Sequence, residues 1–182
     1  MRIDISPAKD ARAVVQNLFA LYAHDMSEFA GVDVGADGKF AMPASLASYW
    51  EGPDLSERYP FLVRADGEIA GFALVRRITA EPVTYDMGEF FILRKYRRSG
   101  LGRHVACALF DRFPGNWEVR EMPANTVAQM FWRRIIGRYT LDAFTDGQEF
   151  FAAYGREFVV QRFRSGSPRA PTDAVSASPT LT

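Results

Sequence analysis

Apolar and polar residues alternate along several short segments of the chain, and other segments repeat apolar residues at helical spacing. Alternation or a short apolar run predicts seven strands, Arg2–Ser6, Phe61–Arg64, Ile69–Ile78, Thr84–Leu93, Asn116–Met122, Tyr139–Phe144 and Phe158–Phe163. Asp66-Gly67 separates the second strand from the third, and Asp-Gly between apolar runs is typical of a hairpin turn. We therefore expect these two strands to pair antiparallel.

Helical spacing of apolar residues predicts four helices. They run from Pro7 to about Phe29, from Pro43 to Trp50, from Leu101 to Phe113, and from the cap residue Asn125 to Gly137. The chain order is strand, two helices, three strands, helix, strand, helix and two strands. It predicts an α/β fold in which a central, mostly antiparallel, twisted sheet of about seven strands carries helices on both faces.

Length and charge narrow the class of protein. With 182 residues, of which 48% are hydrophobic, the chain suits one domain with a substantial core. Lys+Arg and Asp+Glu each number 22, so the formal net charge is zero and no overall field attracts nucleic acid or an anionic membrane. We expect one domain over residues 1–164 and a disordered tail, rich in Ser, Pro, Ala and Thr, over residues 165–182.

The N-terminal sequence and the scarcity of cysteine and histidine bear on where the protein resides and on whether it binds a metal. The N-terminus lacks the basic-then-apolar pattern of a secretory signal, and no apolar run reaches the roughly 18 residues that a membrane span needs. We therefore expect a cytoplasmic protein without membrane contact. Cys107 is the single cysteine, and His24 and His104 are the two histidines, so we expect no internal disulfide and no metal.

The sequence Arg97-x-x-Gly100-x-Gly102 connects the predicted strand 84–93 to the predicted helix 101–113. A turn of this kind leaves backbone amides pointing outward at a helix N-terminus, where the helix dipole favours a phosphate or pyrophosphate. It is neither a dinucleotide-binding turn, which follows the first strand, nor a P-loop, which needs Gly-Lys-Ser/Thr. Basic residues surround the turn, and which of them contact phosphate stays open: Arg94, Lys95, Arg97, Arg98 and Arg103.

These residues resemble the GNAT superfamily of acyl-CoA-dependent N-acetyltransferases. The turn matches that family's pyrophosphate motif, and Asn125-x-x-Ala128-x-x-Phe131-Trp132 is similar to the helix that follows the next strand in the family. The resemblance extends over residues 1–164 and implies acetyl-CoA as the co-substrate. The residues that it implies for binding acetyl-CoA are Phe91, Ile92, Leu93, Arg97, Arg98, Ser99, Gly100, Leu101, Gly102, Arg103 and Asn125. Asn125 is equally well interpreted as a plain helix cap.

The resemblance also implies how the reaction is catalysed. The strand ending at Leu93 is expected to separate from its neighbour, so that its backbone binds the pantetheine arm and the Ile92 N–H faces the thioester oxygen. Glu89 is an ionisable residue in an apolar run, on the same side as Phe91 and Leu93, and is our candidate base. The alternative interpretation is that Glu89 pairs with an arginine. Asp86 is a second candidate base.

One position departs from the family. Many members carry a tyrosine where this chain has Trp132, and an indole cannot protonate the departing thiolate. Because thiols ionise near pH 8.5, a dedicated acid is less essential than it is for an alcohol. Tyr139 is a weak candidate for that acid, and a buried tyrosine that satisfies its hydroxyl is the competing interpretation.

The predicted function is transfer of an acetyl group to the primary amine of a small molecule or peptide by direct attack. Residues expected to line an acceptor pocket, unless they are simply core residues, are Tyr22, His24, Asp25, Tyr49 and Trp50. Two alternatives stay open: a non-catalytic module of the same fold that senses acyl-CoA or binds a protein, and a protein that binds a phosphate backbone such as RNA. A homodimer also stays open.

Overall fold

A computed structural model describes residues 1–166, so the predicted tail lies outside the described residues from position 167 onward. Ser165 itself belongs to the last strand. Its buried hydroxyl donates to Phe113 O at 3.0 Å and accepts from the Trp117 indole at 3.1 Å. The folded part therefore extends at least to Ser165, past the expected domain end at residue 164.

Seven strands form one open, mixed sheet. They are β1 (Ile3–Pro7), β2 (Arg58–Ala65), β3 (Glu68–Ala80), β4 (Val83–Ile92), β5 (Gly115–Glu121), β6 (Phe144–Phe151) and β7 (Arg156–Ser165). Their order across the sheet is β1-β2-β3-β4-β5-β7-β6. All neighbours are antiparallel except β4 and β5, and β2 and β3 form the hairpin predicted at Asp66-Gly67. The predicted fold class is confirmed.

Helices cover both faces of the sheet and bury two apolar cores. The helices are α1 (Arg12–Ala30), α2 (Ala44–Ala47), α3 (Leu101–Arg112) and α4 (Thr126–Thr140). On one face, Leu101, Val105 and Leu109 of α3 pack with α4 against β2–β5 and β7. On the other face, α1 and α2 pack against Phe72 and Phe91. Burial of these apolar stripes is what holds the helices on the sheet.

The parallel pair β4 and β5 separates after a short stretch of pairing. β4 pairs with β5 only at residues Thr84 to Asp86, whereas its pairing with β3 continues to Ile92. The second half of β4 therefore has β3 on one side and a gap on the other. The predicted separation of this strand from its neighbour is present in the fold.

The region after Ile136 differs from the prediction. Gly137 was expected to end the last helix and Tyr139–Phe144 to form a strand, but α4 continues to Thr140, and β6 begins only at Phe144. Leu141 ends the helix in a left-handed conformation, with φ of 55°. A Cβ on Gly137 would lie 2.6 Å from Asp142 Oδ1 in the turn that follows, so a side chain there would displace the exposed Asp142 carboxylate.

Candidate functional site

The predicted glycine turn joins β4 to α3 at the N-terminus of that helix, and within it the Leu101 N–H donates to Ser99 Oγ at 3.4 Å. A 3-10 turn covers Arg94–Tyr96, after which Arg98 and Gly100 adopt left-handed conformations, with φ of 64° and 87°. His104 carries the first amide that bonds to the residue four positions earlier, donating to Gly100 O at 3.1 Å. The amides that precede it face the end of the helix, where the dipole favours an anion. The geometry of this turn suits a phosphate group.

The two glycines of the turn have different reasons to be glycine. Nothing lies within 4 Å of a Cβ built on Gly100, so its constraint is the left-handed backbone. A Cβ on Gly102 would instead lie 3.2 Å from the Phe131 ring and 3.8 Å from Ile92 Cγ1. Gly102 therefore allows close packing between α3, α4 and the end of β4.

The arginines of the turn form two sets. Arg97 and Arg94 both donate to Asp25 of α1, at 2.5 Å and 2.8 Å. Burial raises the pKa of Asp25, but hydrogen bonds from Arg97 and Arg94 outweigh it and hold this pKa below its usual value. Arg98 and Arg103 are exposed, and within residues 1–166 neither side chain forms a hydrogen bond or an ion pair. Of the four arginines between positions 94 and 103, these two pair with no carboxylate of the described residues.

The gap beside β4 exposes one particular peptide group. The Leu93 N–H donates to Ala70 O of β3 at 2.9 Å. Since successive residues of a strand direct their peptide groups to opposite sides, the N–H and C=O of Ile92 face the gap. The Arg97 Nε reaches Ile92 O from that side at 2.8 Å. Within the predicted pantetheine segment, Ile92 therefore offers its amide, while the amides of Phe91 and Leu93 face β3.

An extra residue in β4 determines which side chains reach the α1 face. Leu74 and Val75 of β3 pair with Glu89 and Met87, so Gly88 forms a β-bulge between them. A Cβ on Gly88 would lie 2.7 Å from the Tyr49 hydroxyl and 3.2 Å from Leu74 O, so a larger residue there would have to displace the buried Tyr49 side chain. Met87 packs into the core under α3 and α4, whereas Glu89 lies on the α1 face.

Glu89 lies on the same face as Phe91 and Leu93, as predicted, and accepts a hydrogen bond from the Tyr22 hydroxyl of α1. Burial raises the pKa of Glu89 to about 7; the Tyr22 hydrogen bond lowers it and the charge of Asp86 raises it further. No arginine forms an ion pair with Glu89 in the described part of the chain. The alternative interpretation of Glu89 as half of an ion pair is therefore wrong.

Asp86 is fully buried and is paired with two arginines. Its Oδ2 accepts from Arg76 Nε and from an Arg120 terminal nitrogen, each at 2.5 Å, while its Oδ1 is buried without a partner. Two guanidinium groups fix this carboxylate in place, which makes Asp86 a structural ion and a poor candidate for the base. The sequence predicted neither arginine as part of the site.

A cavity of about 490 Å³ joins the two faces at the gap. Tyr22 and Tyr49 line it, as predicted for the acceptor pocket, and both also pack in the core. The other three candidates do not line the cavity. His24 is exposed, Asp25 is paired with the turn arginines, and the Trp50 indole donates to Ala8 O at 3.0 Å. The charged residues lining the cavity are Arg76, Asp86, Glu89, Arg120, Glu121 and Arg156.

Glu121, which the sequence interpretation missed, lies at the end of β5 on the other side of the gap. Its side chain is only 5% exposed, and neither carboxylate oxygen has a hydrogen-bond partner within residues 1–166. Burial raises its pKa to about 9, with Asp146 raising it further and Arg133 lowering it. The signal was available, because alternation places Glu121 on the same face as the core residues Trp117 and Val119.

The α4 candidates have clear structural roles. Asn125 caps the helix, its Oδ1 accepting from the Ala128 N–H at 3.0 Å, and it also lines the cavity. Trp132 is buried beside Phe90 and Phe110 and borders the cavity. Tyr139 lies near the end of the helix, not in a strand, and its hydroxyl donates to Asp111 at 2.8 Å. Tyr139 does not line the cavity, so the proposal of Tyr139 as the acid is wrong.

The residues that build the gap and the turn fall within a known family. The model of the Acetyltransferase (GNAT) family matches residues 20–137, and the chain belongs to this family. Membership supports acyl transfer in general and an acyl-CoA co-substrate of the kind that the family uses. No curated protein matches the chain. In the part of the chain that the structure describes, no helix combines the length and apolar character needed to cross a bilayer.

Solved structures share the same fold at low sequence identity. A histone acetyltransferase HPA2 and related acetyltransferase from Corynebacterium glutamicum has a TM-score of 0.64 and 14% identity, over 93% of this chain and 100% of that one. An acetyltransferase from Thermus thermophilus has a TM-score of 0.63 and 15% identity, over 90% and 97%. The ribosomal-protein-S18-alanine N-acetyltransferase from Escherichia coli has a TM-score of 0.55 and 15% identity, over 96% and 100%.

Proposed function

We propose that this chain transfers an acetyl group from acetyl-CoA to the primary amine of a small molecule or peptide by direct attack. The observation that carries the proposal is a juxtaposition in the fold. The glycine turn and the Ile92 amide lie at one end of the free edge of β4, and Glu89 lies three residues before Ile92 on the same strand, in the wall of the cavity. Each supports one requirement of the reaction: a bound leaving group, a stabilised oxyanion and a neutral amine.

Acetyl-CoA would bind from the turn along the gap. The amides of Ser99 to Gly102 would hold the pyrophosphate, with charge from the exposed Arg98 and Arg103. The pantetheine arm would take the place of the missing strand beside β4 and bond to the Ile92 peptide. Arg97 Nε donates a hydrogen bond to Ile92 O in this structure. We expect a hydrogen bond from the pantetheine arm to replace it when acetyl-CoA binds.

In the chemical step, the amine lone pair attacks the thioester carbon and the carbonyl oxygen becomes an oxyanion. The Ile92 N–H would donate to that oxyanion. A donor that the fold already holds in position stabilises the developing charge without having to reorient. Glu89 would take the proton that the amine loses, directly or through a water molecule. No covalent intermediate on the enzyme is needed, because the amine itself is the nucleophile.

The test is thiol release from acetyl-CoA in the presence of a panel of primary amines, together with calorimetry of coenzyme A binding. We expect saturable coenzyme A binding and thiol release that depends on the amine. Binding without any thiol release would favour the acyl-CoA-sensing module. Nucleic-acid binding with steep salt dependence and no affinity for coenzyme A would favour the third interpretation and overturn the proposal.

A further inference from the structure

Glu121 lies on the β5 side of the gap, opposite the free edge of β4. The same cavity is lined by Val119 on β5, by the α4 cap residue Asn125, and by Ala128 and Trp132 on α4. The side chain is 5% exposed, and neither of its oxygens has a hydrogen-bond partner in the described chain. A buried carboxyl without a partner is costly, so an unbonded one at a cavity wall calls for an explanation.

The surroundings of Glu121 keep it protonated at neutral pH. The charged groups that act on it are Arg133 of α4 and Asp146 of β6, and these two are already paired with each other. Burial is the largest cause that raises the pKa of Glu121, to about 9, and Asp146 raises this pKa more than Arg133 lowers it. Glu89, on the other side of the cavity, has a pKa of about 7. Two carboxyls in one cavity with separated pKa values are the pattern of an acid and a base.

The β5–α4 wall of the cavity contains no other proton donor suited to a thiolate. Trp132 occupies the position where the family motif places a tyrosine, and its indole cannot act as an acid. Asn125 uses its oxygen to cap α4. Three tyrosines line the other walls of the cavity: Tyr22 is bonded to Glu89, Tyr49 packs in the core, and the Tyr154 hydroxyl accepts from Arg76 at 3.0 Å.

We propose that Glu121 protonates the departing coenzyme A thiolate, in the role that Trp132 cannot fill. The inference rests on the proposed function, which places the thioester in the gap that Glu121 borders. Collapse of the tetrahedral intermediate breaks the C–S bond and leaves the electron pair on sulfur. The sulfur takes the Glu121 proton, which leaves a carboxylate, while Glu89 takes the proton that the amine nitrogen loses. Exchange with solvent returns both carboxyls to their starting states, so the protons balance.

A purely structural role for Glu121 makes a different prediction. Gln161 of β7 lies on the same sheet face, is fully buried and likewise has no side-chain partner among residues 1–166. It does not line the cavity. Gln161→Leu is therefore a matched control, because it changes a buried polar group beside Glu121 without touching the cavity. A structural role would make Glu121→Gln and Gln161→Leu behave alike.

The experiment compares two acetyl donors that differ in their leaving thiol, S-acetylpantetheine and p-nitrophenyl thioacetate. Alkyl thiols ionise near pH 8.5, whereas the aryl thiol ionises far more readily and leaves without an acid. With a primary amine acceptor, we expect Glu121→Gln to lower the rate with S-acetylpantetheine by about tenfold or more. With the aryl thioester we expect a loss of no more than about twofold, and Gln161→Leu should not distinguish the donors.

An equal loss with both donors, or no loss with either, would overturn the proposal for Glu121. Circular dichroism and thermal unfolding of both variants would show whether they are folded. Absence of thiol release by the unmodified protein from acetyl-CoA itself, with every amine of the panel, would instead mean that the proposed function has failed. The two failures are therefore distinguishable.

Discussion

At the scale of single residues, Glu89 combines a hydrogen bond with a desolvated site. Burial favours its neutral form, the Tyr22 hydroxyl favours the carboxylate, and the resulting pKa of about 7 lies close to the working range of a general base. The carboxylate is populated as pH rises through about 7 and is lost below it. A group that titrates there can both accept a proton and return it to solvent.

Replacing Glu89 by Gln should therefore lower kcat/KM for amine acetylation on the order of a hundredfold above neutral pH. The difference from the unmodified protein should shrink as pH falls below about 7, since the native Glu89 is then protonated too. Coenzyme A affinity, measured by calorimetry, should be unchanged. Glu68→Gln, at an exposed position on β3, serves as the control and should keep full activity. A rate for Glu89→Gln that equals the native rate at every pH would remove Glu89 from the mechanism.

Glu121 leads to a residue-scale prediction about stability that needs no substrate. Its folded pKa of about 9 exceeds its ordinary value of 4.5, so between these values the folded state holds a proton that the unfolded state has released. Stability therefore decreases as pH rises through this window, by at most about 1.4 kcal/mol per pH unit. Glu121→Gln removes the titration and should weaken that pH dependence.

Urea unfolding of the native protein and Glu121→Gln at about pH 5 and about pH 8 measures this contribution. The variant should gain stability relative to the native protein on going to the higher pH. Parallel losses in the two proteins would show that Glu121 ionises freely in the folded state. Glu68→Gln again controls for loss of an exposed carboxylate.

At the scale of elements, the turn between β4 and α3 can be tested with two glycines of nearly equal geometry. Gly100 has φ of 87° and Gly67, in the β2–β3 hairpin, has φ of 86°, and neither has an atom within 4 Å of a built Cβ. Alanine at either position should cost about 1–2 kcal/mol of stability through backbone strain. Only Gly100→Ala should also weaken coenzyme A binding, by roughly tenfold, because only that turn carries the amides proposed to hold the pyrophosphate. Equal affinities of the two variants for coenzyme A in calorimetry would argue against the turn as its binding site.

The elements that could be predicted are those whose signal is local in the sequence. The Asp66-Gly67 hairpin, the strand before the glycine turn and the apolar stripe of α3 each depend on neighbouring residues, and all three are present. The predicted end of α4 is wrong because a glycine such as Gly137 is typical of the residue that caps a helix C-terminus. The helix instead ends at Leu141, whose left-handed conformation sequence spacing does not reveal.

The parts of the site that escaped prediction depend on contacts between distant segments. Asp25 pairs with Arg97 across 72 positions, and Arg120 reaches Asp86 across 34. The bulge at Gly88 depends on the register with β3, which only the folded sheet shows. Glu121 is an exception, since its place in the alternating pattern of β5 was visible and only its lack of a partner required the structure.

At the scale of the whole molecule, the proposed ligand would act as a missing strand. Between β4 and β5, the sheet is continuous at one end and open at the other, so acetyl-CoA would bridge elements that are paired only at residues 84–86 of β4. Such a ligand binds the folded state alone, and at 100 times its Kd it should raise the free energy of unfolding by about 2.7 kcal/mol. For a chain of this size, this corresponds to an increase of roughly 5–10 °C in Tm, measurable by thermal shift.

A fragment of coenzyme A tests which part of the ligand produces this stabilisation. Pantetheine keeps the arm that would pair with β4 but lacks the diphosphate, so at equal concentration it should stabilise the protein much less than coenzyme A does. Added salt should reduce the coenzyme A shift only partly, because backbone amides that surround a bound phosphate are screened less than exposed charges. A Tm shift that disappears at moderate salt would show that the exposed Arg98 and Arg103 side chains alone bind coenzyme A. The turn amides would then have no part in binding it.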